Sequence, residues 1–152
     1  MKNRFKFCVA LCLAVLAVNT ASADECKLTI NSNDAMQFDQ SEMVAPANCE
    51  TITIVLNHTG SLAANAMGHN WVLTTAANFQ DVANAGLGAG LDNNYVPVDD
   101  DRVLASTKVI GGGESTEVTF AASILSADEE YLFFCSFPGH WAIMKGVFKA
   151  AS

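Results

Sequence analysis

Polar and apolar positions alternate with a period of two over much of this chain. The clearest run is Thr51-Ile52-Thr53-Ile54-Val55-Leu56, where polar and β-branched residues alternate before the run becomes wholly apolar. That pattern predicts a strand with one face in a core. Lys27 to Asn31, Trp71 to Thr74, Thr107 to Ile110, Ser115 to Phe120, Tyr131 to Cys135 and Gly146 to Ala150 read in the same way. Turn signals separate these runs at His58-Thr59-Gly60, Gly111-Gly112-Gly113 and Pro138-Gly139. The stretch from Ala76 to Gly90 breaks the alternation. It is rich in alanine, with Phe79, Val82 and Leu87 at helical intervals, and predicts a short helix packed outside the sheets. Asp99-Asp100-Asp101 predicts a solvated turn. Many short strands at this spacing predict an all-β sandwich or barrel, with no internal repeat and no second domain.

The first 23 residues follow another logic. Lys2, Arg4 and Lys6 precede an apolar run from Cys8 to Val18, and Ala21-Ser22-Ala23 offers small residues for cleavage before Asp24. This is the layout of a secretory signal peptide, so residues 24–152 are expected to form the exported domain, in the periplasm. No later apolar segment is long enough to span a bilayer as a helix, so no stable membrane insertion is expected. The whole chain carries 8 basic and 16 acidic residues. Loss of Lys2, Arg4 and Lys6 with the signal leaves a net charge of about −11. So few cations cannot neutralise a series of phosphates, which argues against nucleic-acid binding. An acidic surface favours solubility and can steer a basic partner.

Past the signal three cysteines remain: Cys26, Cys49 and Cys135. An oxidising compartment favours pairing, and an odd count leaves one thiol over. Cys26 and Cys49 lie near the mature N-terminus, each beside a predicted strand, and are expected to form a disulfide. Cys135 stands in a different setting. His140 follows it after four residues and Met144 after three more, with Ser136-Phe137-Pro138-Gly139 between thiol and imidazole. A strand end, a tight loop and a strand start can present a thiolate, an imidazole and a thioether to one point. Two imidazoles, one thiolate and a weak axial methionine suit copper. Of the two other histidines, His69 is the better second imidazole, because Gly68 lets the backbone come close. His58 begins a turn of its own. Zinc would accept the thiolate and imidazoles, but a thioether is a poor fourth ligand for structural zinc. No carboxylate lies between Cys135 and Met144 to serve a catalytic zinc.

These motifs carry a resemblance. Glu25-Cys26, Asn33-Asp34, Met36-Gln37-Phe38, Met67-Gly68-His69-Asn70-Trp71-Val72-Leu73, Phe133-Phe134-Cys135, Phe137-Pro138-Gly139-His140 and Met144-Lys145-Gly146 together resemble the azurins of the cupredoxin family. The match runs from Asp24 to Ala150. It implies an eight-stranded Greek-key β-sandwich with a helical flap, and one copper ion held by His69, Cys135 and His140, with Met144 and the Gly68 carbonyl as weak axial contacts. It also implies the Cys26–Cys49 disulfide. Asn70 would tie the two ligand loops together, and the backbone N–H groups of Asn70 and Phe137 would donate to the Cys135 sulfur. A partner-docking patch would comprise Leu62, Met67, Leu87, Phe137, Pro138 and Trp141 around His140. Trp141 departs from the small residue usual in the family, and its ring would either extend that patch or shield the site. Thr59 replaces the proline that usually follows the residue matching His58, which favours a plain buried histidine there.

The expectation is therefore a monomeric one-electron carrier rather than an enzyme. Its partners would be redox proteins such as c-type cytochromes or periplasmic reductases and dehydrogenases. A copper oxidase or nitrite reductase would need a second, open metal site, and only His58 would remain to build one. A copper(I) storage or delivery protein is the alternative.

Overall fold

The computed structural model describes residues 25–151, so the expected signal peptide lies outside the described residues. The chain forms a two-sheet sandwich. Its strands are β1 (Lys27–Asn33), β2 (Gln37–Phe38), β3 (Glu42–Ala45), β4 (Thr51–His58), β5 (Val72–Thr75), β6 (Ala105–Ser106), β7 (Ser115–Ala121), β8 (Tyr131–Phe134) and β9 (Lys145–Ala150). One sheet runs in the order β2-β1-β4-β7 and the other β3-β9-β8-β5-β6. The β1–β4 and β3–β9 pairs are parallel, and the remaining pairs are antiparallel.

Among the described residues, nine segments arise where eight strands were expected, because one stretch serves both sheets. β2 pairs with β1, and after Asp39-Gln40-Ser41 the chain rejoins as β3 beside β9. Asp39 fastens the corner: its side chain accepts from the Asn31 amide and side chain, at 2.9 and 2.7 Å. Alternation alone did not reveal this crossing: Gln37–Phe38 is too short to display a period, and Glu42-Met43-Val44-Ala45 carries apolar residues on both faces. The expected strand at Thr107–Ile110 is also corrected. Pairing with β5 occurs two residues earlier, at Ala105–Ser106, and Ile110 makes only an isolated bridge to His69. Thr107 uses its hydroxyl to accept the Trp71 N–H at 2.9 Å, which takes the chain out of a regular ladder.

The core follows from the alternation. Ile52, Ile54 and Leu56 of β4 point inward with Ile30 of β1, facing Leu73, Phe133 and Phe148 of the other sheet. Trp71 lies fully buried between them, stacked on Phe133 at 6.0 Å and edge-on to Phe148 at 5.9 Å. The outer face of the second sheet is covered too. Helix α2 (Phe79–Ala89) lies inside the predicted 76–90 stretch and buries Phe79, Val82 and Ala83 against Val72 and Phe134. This cover makes β8 apolar on both faces, so Cys135 at its end is shielded from water on both sides. A four-residue helix α1 (Ala64–Met67), which the sequence pattern did not announce, leads into Gly68 and His69.

Cys26 and Cys49 are bonded and lie 23 residues apart. They clamp the start of β1 to the approach to β4, at the edge of the core. Replacing both by alanine is expected to lower unfolding free energy by about 3 kcal/mol, since the unfolded chain regains its loop entropy. A urea midpoint equal to that of the unaltered protein would remove this role.

Candidate metal centre

Three side chains meet at one end of the sandwich. Sγ of Cys135 lies 3.7 Å from Nδ1 of His69 and 3.6 Å from Nδ1 of His140, and the two Nδ1 atoms are 3.2 Å apart. A point equidistant from the three atoms is about 2.0 Å from each, close to the ~2.0–2.3 Å that nitrogen and thiolate sulfur keep from a transition metal. Among the described residues, these three form one group able to hold a metal ion. All three residues are buried, at 0, 0 and 3% exposure for His69, Cys135 and His140.

Each donor is placed by its own element. Cys135 follows directly on β8, and its N–H donates to the Met144 carbonyl at 3.0 Å, closing the ligand loop at its base. Gly139 turns the chain with φ of 82°, and His140 opens a single helical turn whose carbonyl accepts the Met144 N–H at 2.8 Å. His69 is held from both sides. Its N–H donates to the Ile110 carbonyl at 3.0 Å, and its carbonyl accepts the Ile110 N–H at 2.9 Å. Its Nε2 lies 2.9 Å from the Asn33 carbonyl. A carbonyl can only accept, so Nε2 carries the proton and Nδ1 offers its lone pair toward the sulfur.

The two loops are tied by Asn70 and Ser136, the residues that follow His69 and Cys135. The Ser136 N–H donates to the Asn70 side-chain carbonyl at 2.8 Å, and the Asn70 amide donates back to the Ser136 hydroxyl at 2.7 Å. Asn70 was expected in this role. Ser136 was not, although its place beside the cysteine was a usable signal. Gly68 is required sterically: a Cβ there would collide with the Ala64 carbonyl and the Val109 side chain. Its carbonyl lies 4.0 Å from the Cys135 sulfur. Met144 is 1% exposed and packs in one cluster with Cys135 and Phe137.

Electrostatics follow from burial. Desolvation pushes the Cys135 thiol up to about 12, and the facing N–H groups of Asn70 and Phe137 pull the other way without compensating. A buried thiol with such a value becomes a thiolate readily only beside a cation. Desolvation also lowers His69 to about 4 and shifts His140 downward. Both imidazoles are therefore neutral, the form that binds metals. A soft sulfur donor with two neutral imidazoles in an apolar shell fits copper.

His58 lies outside this group. It is 2% exposed, with Nε2 2.9 Å from the Met67 carbonyl and Nδ1 accepting the Gly60 N–H at 3.0 Å. Both ring nitrogens are satisfied, as the reading of a plain buried histidine requires. The residues expected at the docking patch divide. Leu62 and Leu87 are 44 and 46% exposed, Pro138 is exposed and Met67 half-buried. Phe137 is 8% exposed and so lies beneath a surface rather than on it. Trp141 is half-buried, edge-on to Phe79 of α2 at 6.1 Å. Ile143, 61% exposed and three residues past His140, was not singled out in the sequence. Its apolar side chain directly before a buried Met144 was the available signal.

A β-sandwich whose loop end gathers two imidazoles and a thiolate is a cupredoxin with a mononuclear copper centre. The model of "copper binding proteins, plastocyanin/azurin family" matches residues 24–150, and the chain belongs to that family. It is 58% identical over 125 residues to Azurin-1 of Alcaligenes xylosoxydans xylosoxydans, covering 82% of this chain and 97% of that one. It is 50% identical over 147 residues to azurin of Achromobacter denitrificans, covering 97% and 98%. The solved structure of an azurin (Az-iso2) from the obligate methylotroph Methylomonas sp. strain J superposes with a TM-score of 0.81 at 45% identity, covering 84% of this chain and 98% of that one. Copper is thus the cofactor.

In the copper-free protein the His69 ring is expected to titrate near pH 4, well below the ordinary 6.5. The unfolded chain takes up this proton first. Stability due to His69 is thus complete above pH 6.5 and falls as pH drops toward about 4. Imidazole NMR of the copper-free protein reads this directly; a His69 midpoint near 6.5 would contradict it.

Proposed function

We propose that this protein is a periplasmic one-electron carrier and not an enzyme. His69, Cys135 and His140 hold the copper, while Met144 and the Gly68 carbonyl act as weak axial contacts. Copper supplies the chemistry when bound, by alternating between its +1 and +2 states. The protein's contribution is to keep the donors where both states can use them. The observation that carries this reading is the donor triangle: three buried donor atoms stand at metal-binding separation, with their backbones held by hydrogen bonds of the protein itself. Ligands that need not move between oxidation states favour fast transfer. Facing N–H groups from Asn70 and Phe137 adjust the electron density on the sulfur and so the potential.

Electrons would pass at the surface over His140. Leu62, Met67, Leu87, Pro138 and Trp141 would line it above Phe137, with Ile143 added. A small apolar surface suits brief contact with c-type cytochromes or with periplasmic reductases and dehydrogenases. The signal-peptide reading of residues 1–23 supports export. Such a carrier would work as a monomer.

The oxidised protein is expected to be intensely blue and to give reversible voltammetry near neutral pH. Copper(I) uptake without reversible cycling would instead favour storage or delivery. Cys135→Ser is expected to abolish the blue band, and its persistence would sink the assignment. Met144→Leu is expected to keep copper and move the potential. Loss of copper on that change would mean that the thioether holds the metal rather than tunes it.

A further inference from the structure

After α2 the chain reverses through Leu91-Asp92-Asn93, and both Asn94 and Tyr95 take positive φ, 57° and 53°. Asparagine tolerates this region; tyrosine visits it rarely. Two adjacent residues hold it only if their surroundings impose it. Asn94 meets that condition with three contacts. Its carbonyl accepts from the Asn70 amide at 2.9 Å and from the Ser136 hydroxyl at 3.3 Å. Its side-chain oxygen accepts the Val109 N–H at 2.9 Å. Tyr95 secures the pair from the other side. Its N–H donates to the Gly90 carbonyl at 2.8 Å, its ring stands edge-on to Phe137 at 5.2 Å, and its carbonyl fills the space a side chain at Gly86 would need.

The three partners of Asn94 share one property. Asn70 follows His69, Ser136 follows Cys135, and Val109 precedes the Ile110 that brackets His69. One residue of the helical flap therefore touches three segments that position the histidine–cysteine pair. The Asn70 amide has two hydrogens, one for Ser136 and one for Asn94. Without the Asn94 carbonyl, one hydrogen would lack a partner at a fully buried residue, and the Ser136 hydroxyl would lose its acceptor. Both losses would loosen the clasp that sets the spacing between the ligand loops.

We propose that Asn94 is a positioning residue of the copper centre. Its left-handed backbone aims one carbonyl into the Asn70–Ser136 clasp, and its side chain, through Val109, holds that backbone in place. The proposal rests on the copper reading of the site. It makes the flap part of the metal centre rather than a cover for the sheet.

The test compares Asn94→Val, whose β-branched side chain resists positive φ, with Asn94→Asp, which keeps both the acceptor and the tolerance. Amide exchange of the copper-free protein and the potential and blue band of the loaded protein are read together. Asn94→Val is expected to speed exchange at Ser136 by about tenfold, the loss of one hydrogen bond's worth of protection, and to move both potential and band. Asn94→Asp is expected to restore all three. Wild-type exchange at Ser136 in Asn94→Val would overturn the proposal, and so would faster exchange with potential and band unchanged. Should Asn94→Val not fold, Asn94→Gly decides the matter. It reaches positive φ freely and loses only the side chain, so Val109 should exchange faster and the potential should move; an unmoved potential overturns the proposal. A wild-type protein that stays colourless with copper would defeat the copper reading alone and leave the exchange result standing.

Discussion

The structure depends on keeping three metal-binding atoms together in a place from which water is excluded. Two imidazole nitrogens 3.2 Å apart, with a thiol sulfur within 3.7 Å of both, gain little from one another without a cation. They stay because their backbones have no freedom to separate. His69 is bracketed by Ile110 and pinned at Nε2 by Asn33. Cys135 ends a central strand, and the Met144 carbonyl closes its loop. The geometry of the centre is thus fixed by hydrogen bonds of the protein itself.

Burial sharpens that constraint. Phe134 and Val72 face outward from the second sheet, and α2 covers them with Phe79, Val82 and Ala83. Without the helix, the strand ending at Cys135 would have one wet face, and the thiol would lie in a polar medium. With it, the sulfur is fully buried and only a cation can draw off its proton easily. The same cover engages the ligand loop twice more. Trp141 packs on Phe79, and Asn94 reaches the Asn70–Ser136 clasp. A bulky residue directly after His140 is thus accommodated by the flap, which takes up part of its ring.

Much of this was legible in the residues. Period-two runs located β1, β4, β7, β8 and β9 to within a few positions, since one face of each meets the core. The helical spacing of Phe79 and Val82 located α2. Counting cysteines separated the bonded pair from the free thiol. The short gap between Cys135, His140 and Met144 exposed the ligand loop, because a strand turn of that length can point several side chains to one place. What stayed hidden has a common cause. The corner between β2 and β3, the early exit of β6 and the positive φ of Asn94 and Tyr95 are all set by partners far along the chain. No local pattern records a bond from Asn31 to Asp39, or from Val109 to Asn94.

The residues alone already carried the kind of chemistry: a soft thiolate, two imidazoles and a thioether, on an all-β chain with an acidic surface. Those are properties of residue types and short spacings, which need no knowledge of distant contacts. The packed fold decided the distances at which His69, already preferred to His58 from the residues, meets Cys135 and His140. It also decided that Phe137 lies beneath the surface, and that Asn94 is bound into the site. Each of these depends on which segments the two sheets bring side by side, and a donor atom can join a metal centre only where packing delivers it to within a few ångströms of the others.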